Sequence, residues 1–226
     1  MTEFVWTNDA EVFEAARREL FTAVVGDIMD KLGLQRQFLP AAIQPLARDM
    51  VTVGRAMTGG EADIVEGAPG PEKPFGRMLD ALDDLRPGEI YICTGASFRY
   101  ALWGELMSTR ARVCGSVGAV VDGYSRDTRP ILEMGFPVFS RGCYAQDQGP
   151  RGYVADFRVP IEMEGVRIRP GDIVFGDIDG VCVVPREAER DVFTGAFEKA
   201  RGEKTARKGL ESGMTARQVF ETYGIL

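Results

Sequence analysis

The sequence predicts a single α/β domain, and three observations lead there. Apolar runs over 51–57, 89–93, 117–121 and 137–139 alternate with helical patterns over 74–85, 101–112 and 127–134, which is β-α-β-α order. The chain has 226 residues, 45% of them hydrophobic and 27% charged, enough for one large domain with a core of its own. No internal repeat, linker or low-complexity tract divides it, so 1–226 is expected to be one domain, with 186–226 a helical C-terminal arm.

The elements follow in order. Val12, Phe13, Ala16 and Leu20 recur at helical spacing and predict a helix over 9–20, with Asn8 as its N-cap. A second helix over 22–32 is stopped by Gly33. Strands are expected over 51–57 and 89–93. The helix between them, 74–85, ends in the turn Arg86-Pro87-Gly88. Beyond 101–112, read as one helix, come the buried strand 117–121, a short helix over 127–134 and a short strand over 137–139. Alternation over 153–168 around Glu164-Gly165 predicts a hairpin. Strands over 173–175 and 181–184 flank Gly176-Asp177-Ile178-Asp179-Gly180. Here Asp177 and Asp179 fit a tight turn better than a metal site. A long polar helix over 186–210 and a terminal one over 215–223 complete the chain.

Composition removes several functions. The net charge of -7 opposes non-specific nucleic-acid binding, which needs a basic surface, but leaves room for a small anionic ligand in a local cationic pocket. No run approaches the roughly 18–20 apolar residues that span a bilayer. The first residues lack the basic-then-apolar order of a signal peptide, so a cytoplasmic protein without membrane contact is expected. Cys93, Cys114, Cys143 and Cys182 are far apart and predict reduced, mostly buried thiols. There is no histidine, which excludes Ser-His-Asp and Cys-His catalysis and His-rich zinc sites. Any metal must then sit among oxygen ligands, which points to Mg²⁺ or Mn²⁺.

Two segments carry candidate chemistry. In Trp103-Gly104-Glu105-Leu106-Met107, a glycine precedes a helical pattern. The amides of Leu106 and Met107 either form an anion cradle or simply begin a helix. In 120–127, a buried strand ends at Asp122-Gly123, a loop follows, and a helix begins at Asp127. Arg126 either pins a carboxylate or pairs at the surface. Asp127 either binds a hard cation or caps the helix. Glu105 lies 21 positions before Arg126, room for a helix, a turn and a strand that return the chain to one sheet edge.

These residues, Gly104-Glu105-Leu106-Met107, then Gly115, Gly118, Val121-Asp122-Gly123 and Arg126-Asp127, resemble the 4-hydroxy-4-methyl-2-oxoglutarate / 4-carboxy-4-hydroxy-2-oxoadipate aldolase family, which also contains the regulator of ribonuclease activity A. The family's acidic residue, twenty intervening residues and Arg-Asp match Glu105 and Arg126-Asp127. Gly135-Phe136-Pro137-Val138-Phe139, Pro170-Gly171-Asp172 and 176–181 are similar too, so the resemblance runs from about Thr22 to Gly213. One position departs: where the family often has an acidic residue three places after the Arg-Asp aspartate, this chain has Pro130, preceded by Arg129.

The resemblance implies a layered α/β/β/α-type sandwich, homotrimers or homohexamers, and cleavage of a 4-hydroxy-2-oxo dicarboxylic acid to pyruvate and a second oxo acid. It implies Mg²⁺ or Mn²⁺ held directly by Asp127, with Glu105 and Glu203 acting through water. Glu203 would come from a neighbouring subunit's C-terminal arm, with Glu198 as the lesser candidate for that place. Gly104, Leu106, Met107 and Arg126 would hold the pyruvyl end. Arg126, Glu105 and Asp127 would be the catalytic set, with a water oriented by Glu105 and Arg126 taking the C4 hydroxyl proton. Asp147, Arg151 and Arg129 are further candidates for the far carboxylate. A Schiff-base mechanism is disfavoured, since Lys31, Lys73, Lys199, Lys204 and Lys208 lie in polar surroundings. The alternatives are oxaloacetate decarboxylation, non-catalytic regulation of a ribonuclease, and methyl transfer. The last is opposed by the absence of any Gly-x-Gly.

Overall fold

The computed structural model describes residues 5–67 and 69–225. Helix α1 (Asp9–Glu19) starts where Asn8 accepts the Glu11 amide, and α2 (Thr22–Lys31) follows directly. Then come β1 (Gln44–Pro45), β2 (Thr52–Asp63), α3 (Met78–Asp83), β3 (Glu89–Thr94), β4 (Ala101–Trp103), α4 (Glu105–Val113), β5 (Gly118–Val121), β6 (Tyr124–Ser125), α5 (Thr128–Met134) and β7 (Val138–Ser140). The second half holds β8 (Gly152–Phe157), β9 (Ile161–Met163), β10 (Val166–Ile168), β11 (Ile173–Asp177) and β12 (Gly180–Val184). A 3₁₀ turn, Arg186–Ala188, leads into α6 (Glu189–Glu211) and α7 (Ala216–Tyr223).

The main sheet runs β1-β7-β5-β3-β2-β11-β12, with β8 also on β2. Strands β2, β3, β5 and β7 are parallel, as the alternating order requires, and β11 and β12 form an antiparallel hairpin on the other side of β2. Residues 37–46 span between the two ends of this path. The Val183 amide donates to the Gln37 carbonyl, Leu39 to Val181, and Leu46 to Val138. The sheet is thereby curled nearly closed, which conceals edge strands that would otherwise be open.

Strand alternation explains the three packed clusters. Ile90, Ile92, Val120, Val174, Val181 and Val183 point inward, where Leu39, Ile43 and the β9–β10 hairpin cover them. Their neighbours point outward. Val53, Ile173, Phe175, Cys182 and Val184 meet α1, α2 and α6, while Met57, Tyr91, Cys93, Ala119 and Val121 meet α3, α4 and α5. In section this is the expected α/β/β/α arrangement, with the helical C-terminal arm behind it. Val192, Phe193, Ala196 and Phe197 of α6 pack on the chain's own α1 and α2 side, each contributing roughly 2 kcal/mol or less by burial. No helix among the described residues is long and apolar enough to cross a membrane.

Four expectations are corrected. The segment 101–112 is not one helix: residues 101–103 form β4 and the helix begins only at Glu105. Short buried apolar runs do not distinguish strand from helix, and an extended Gly104 separates the two here. Strand β2 continues past 57 to Asp63 because β3 pairs the polar, glycine-containing stretch over 58–60 and β8 pairs it over 59–63. Consequently only 161–168 forms the Glu164-Gly165 hairpin, and residues 152–157 belong to the main sheet. The helix read over 74–85 shortens to Met78–Asp83, since Phe75 and Gly76 have φ of 61° and 64°.

Asp177, at the β11–β12 turn, has a structural role. Asp177 accepts the Thr22 amide at 2.8 Å, the Thr22 hydroxyl at 2.7 Å and the Asp179 amide at 2.9 Å. It therefore anchors the first turn of α2, whose own N-cap, Phe21, has no capping side chain. Asp177→Ala is expected to destabilise the fold by about 2 kcal/mol, because a buried amide and hydroxyl lose their acceptor. Urea unfolding should show a lower midpoint with an unchanged slope.

Candidate functional site

Strands β4 and β6 build the site by pairing in parallel, Ala101 with Tyr124 and Trp103 with Ser125. The pairing continues one step further, where the Arg126 amide donates to the Trp103 carbonyl at 2.9 Å. Gly104-Glu105 and Arg126-Asp127, far apart in sequence, are thereby placed side by side. Trp103 is locked beneath them: its indole N–H donates to Ser108 Oγ at 2.7 Å, and its ring stacks on Phe136 and lies 5.0 Å from Tyr91.

Asp127 precedes α5 with φ 57° and ψ 37°, the left-handed region. Aspartate enters this region more readily than most residues, but still at a cost of order 1 kcal/mol. This conformation brings Oδ2 to 3.3 Å from the Glu105 amide, which donates to it, and to 3.6 Å from Arg126 Nε. A Cβ on Gly104 would lie 2.8 Å from the same oxygen, so glycine is what admits the carboxylate. Oδ1 takes no hydrogen bond from the described residues. The Arg126 guanidinium reaches the other way to Asp147 Oδ1 at 3.1 Å. As first-turn donors, the Leu106 and Met107 amides have no partner within α4.

These groups open on a cleft of about 440 Å³. Gly104, Leu106, Met107, Arg126, Asp127, Asp147 and Gln148 line it, over an apolar wall that includes Phe75, Met78, Leu82 and Trp103. Charged groups at one end of an apolar pocket suit a small anionic ligand. A larger, more open depression of about 1060 Å³ lies on the Arg99, Tyr144 and Arg151 side, but neither Arg126 nor Asp127 lines it.

The predicted residues distribute as follows. Gly104, Leu106, Met107, Arg126 and Asp127 converge on the cleft. Glu105 contributes its amide, while its carboxylate accepts from Thr109 at 2.7 Å and does not line the cleft. Glu203 pairs with Lys199 at 2.6 Å, and Lys199 with Asp27 at 2.9 Å, on the side where α6 packs against α1 and α2. Glu198 is exposed on the same helix. Arg129 pairs with Glu133 at the surface, and Pro130 sits in the first turn of α5, where a missing amide is tolerated. Arg151 donates to the Asp147 carbonyl at 2.9 Å and so braces the loop beside Arg126. All four cysteines are free. Cys93 and Cys182 are buried, Cys114 is half-buried and Cys143 is exposed.

Whether the donor set suits a cation follows from its chemistry. Among the described residues no three Cys, Asp or Glu side chains gather into a metal cage. One exposed carboxylate with a free oxygen, rigidly placed at the mouth of a cleft, fits a hard ion that keeps most of its waters or takes ligand oxygens, as Mg²⁺ does. It does not fit zinc or a softer metal.

Glu61 and Gln148 had no signature in the sequence. Glu61 lies in β2, where the register with β8 shifts, and is almost fully buried. Its Oε2 accepts from Gln148 Nε2 at 2.7 Å, whereas its Oε1 and the nearby buried Tyr91 hydroxyl have no partner among the described residues. Burial raises the Glu61 carboxyl from 4.5 to about 7, against hydrogen bonds from Gln148 and Cys93. A carboxyl that holds its proton more tightly when folded gives its full contribution below 4.5 and loses it as pH rises through about 7. The charged form then costs about 3 kcal/mol. Glu61→Gln should therefore gain stability over the unmodified chain at pH 8.5, with the difference shrinking towards pH 5. Urea unfolding at the two pH values checks this.

Residues 22–183 match the model of the family described as RraA-like, Aldolase/RraA. A protein of Halalkalibacterium halodurans, provisionally named as a 4-hydroxy-4-methyl-2-oxoglutarate aldolase, is 30% identical over 94% of this chain and 96% of its own length. Protein DlpA of Legionella pneumophila is 29% identical over 89% of this chain. The chain spans only 32% of that longer protein. Among solved structures, an uncharacterised protein from Pseudomonas syringae pv. tomato superposes with a TM-score of 0.83 at 26% identity, covering 98% of this chain and 99% of that one.

Proposed function

The chain belongs to the RraA-like Aldolase/RraA family, and on that footing we propose that it is a divalent-metal-dependent carbon–carbon lyase that cleaves a 4-hydroxy-2-oxo dicarboxylic acid to pyruvate and a second oxo acid. The observation that carries this reading is the left-handed Asp127, whose carboxylate is received by the Glu105 amide beside Arg126, at the mouth of an apolar cleft.

Asp127 would hold the ion, Mg²⁺ or Mn²⁺, through Oδ1, the oxygen not engaged by the Glu105 amide. Bound there, such an ion supplies Lewis acidity to the 2-oxo acid. The chain's own residues would do the rest. The Leu106 and Met107 amides, at the positive end of α4, would take the pyruvyl carboxylate. The Arg126 guanidinium, kept in place by Asp147, would stabilise the negative charge that develops on the keto oxygen as the C3–C4 bond breaks. The electron pair of that bond passes to the pyruvyl fragment as the C4 hydroxyl gives up its proton and the second carbonyl forms, and a proton returned from water to C3 converts the enolate to pyruvate. The water accepting that proton would be ordered by Arg126 and, if its side chain leaves Thr109, by Glu105. Trp103, Phe75 and Leu82 narrow the cleft and limit bulk water.

Glu203 cannot join this set from within its own chain, being on the α1/α2 side. Its place in the reading is through a second subunit, in a homotrimer or homohexamer whose C-terminal arm reaches the neighbour's cleft.

Following pyruvate with a coupled dehydrogenase, 4-hydroxy-4-methyl-2-oxoglutarate and Mg²⁺ should give turnover that EDTA abolishes and added Mg²⁺ restores. Oxaloacetate, run in parallel, separates decarboxylation from aldol cleavage. Arg126→Ala and Asp127→Asn should each reduce turnover by at least about a hundredfold with the fold retained by circular dichroism. Asparagine keeps the left-handed backbone accessible and removes the charge. Normal activity in either variant defeats the assignment. Gly104→Ala should lower activity in the same direction, because its Cβ displaces the Asp127 carboxylate.

A further inference from the structure

Gln148 is a buried polar group of the cleft that the proposed chemistry leaves unused. It is only 4% exposed, yet it lines the cleft together with Arg126, Asp127 and Asp147. Its amide nitrogen is tied at 2.7 Å to Glu61, an acid 6% exposed on β2 that does not itself line the cleft. A side-chain amide has its oxygen and nitrogen on one carbon, so securing the nitrogen also decides where the oxygen lies. An ionised carboxylate can only accept, which selects the orientation with Nε2 towards Glu61.

Resting on the aldolase reading above, we propose that Gln148 orders the proton-accepting water, its Oε1 accepting a hydrogen bond from the water that takes the C4 hydroxyl proton, and that Glu61 is the positioning residue that fixes this amide. A neutral acceptor there turns the water's lone pair towards the C4 hydroxyl, so a 2-oxo acid without that hydroxyl gains nothing from it.

The pair also couples cleft chemistry to pH. When Glu61 is ionised, Gln148 presents its oxygen to the cleft. When Glu61 is protonated it can donate to that oxygen, and the amide turns its N–H groups outward. The surroundings leave Glu61 as the group that changes charge near neutrality. Tyr91, Cys93 and Tyr100 are pushed up by burial and stay protonated. Asp63, despite the opposing effect of burial, is held down at about 2 by hydrogen bonds led by that from Tyr100. Asp122 beyond Cys93 is paired with Arg141, Asp156 on β8 with Arg77, and Asp147 in the Gln148 loop with Arg126. Glu61 itself is raised to about 7.

The test has two arms on the full chain. In ¹⁵N-labelled protein without substrate or metal, the Gln148 side-chain amide signals, assigned by their loss in Gln148→Leu, should shift with a midpoint near pH 7. In Glu61→Gln the shift should disappear. Signals that do not move, or that move equally in Glu61→Gln, overturn the positioning role. In Mg²⁺-supplemented kinetics, Gln148→Leu should lower kcat/KM for 4-hydroxy-4-methyl-2-oxoglutarate by about tenfold, the worth of one hydrogen bond. Glu61→Gln should retain most of the activity but flatten the pH profile near 7. An active unmodified chain whose Gln148→Leu variant is unimpaired overturns the water-ordering role alone. An unmodified chain inert towards this substrate, with folded protein and titrating Gln148 signals, overturns the aldolase reading and the water-ordering half of this one, and leaves the Glu61–Gln148 tether standing.

Discussion

The site depends on one backbone pairing, the short parallel contact between β4 and β6 that ends with the Arg126 amide on the Trp103 carbonyl. Each strand is too short to be stable alone. They hold because residues 101–103 are fully buried and Trp103 is fastened by Ser108, Phe136 and Tyr91. This places Gly104 opposite Asp127, and the arrangement around that carboxylate follows: the Glu105 amide meets Oδ2, the start of α4 faces the same space, and Arg126 lies between two carboxylates.

That arrangement concentrates backbone expense at the cleft. Of the four non-glycine residues with positive φ among the described positions, Phe75 and Asp127 both line it. Each conformation is imposed by packing on either side, and each turns a side chain towards the ligand space. Rigidity acquired in this way needs no metal cage to place a carboxylate, which is consistent with a site built from one direct acid and several amides.

Behind the cleft, the β2–β8 bulge buries Glu61 against Tyr91 and Cys93, and the loop before β8 supplies Asp147 and Gln148. The long β2 strand thus serves two purposes. Its first half carries the packing of α1 and α6, and its second half supports the wall of the cleft. The curled sheet makes this economical, since a single outer face accommodates both helix groups while the inner face is closed by 37–46 and the β9–β10 hairpin.

Much of this was legible along the chain. Helical spacing with Asn8 located α1, alternating apolar runs located β3, β5, β11 and β12, and the interval from Glu105 to Arg126-Asp127 singled out the residues that do converge. The first two signals are local or periodic, and local sterics and burial suffice to generate them; the third is a spacing shared with the family. Tertiary structure alone decided the rest. Whether 101–103 was strand or helix turned on a partner 23 residues away; the polar end of β2 became a strand because two neighbours paired it; and the Glu105 carboxylate turned to Thr109, leaving its amide for the site. Glu61 and Gln148 lie 87 positions apart. No periodicity relates them, because what joins them is a buried hydrogen bond whose strength exists only once water has been removed from both.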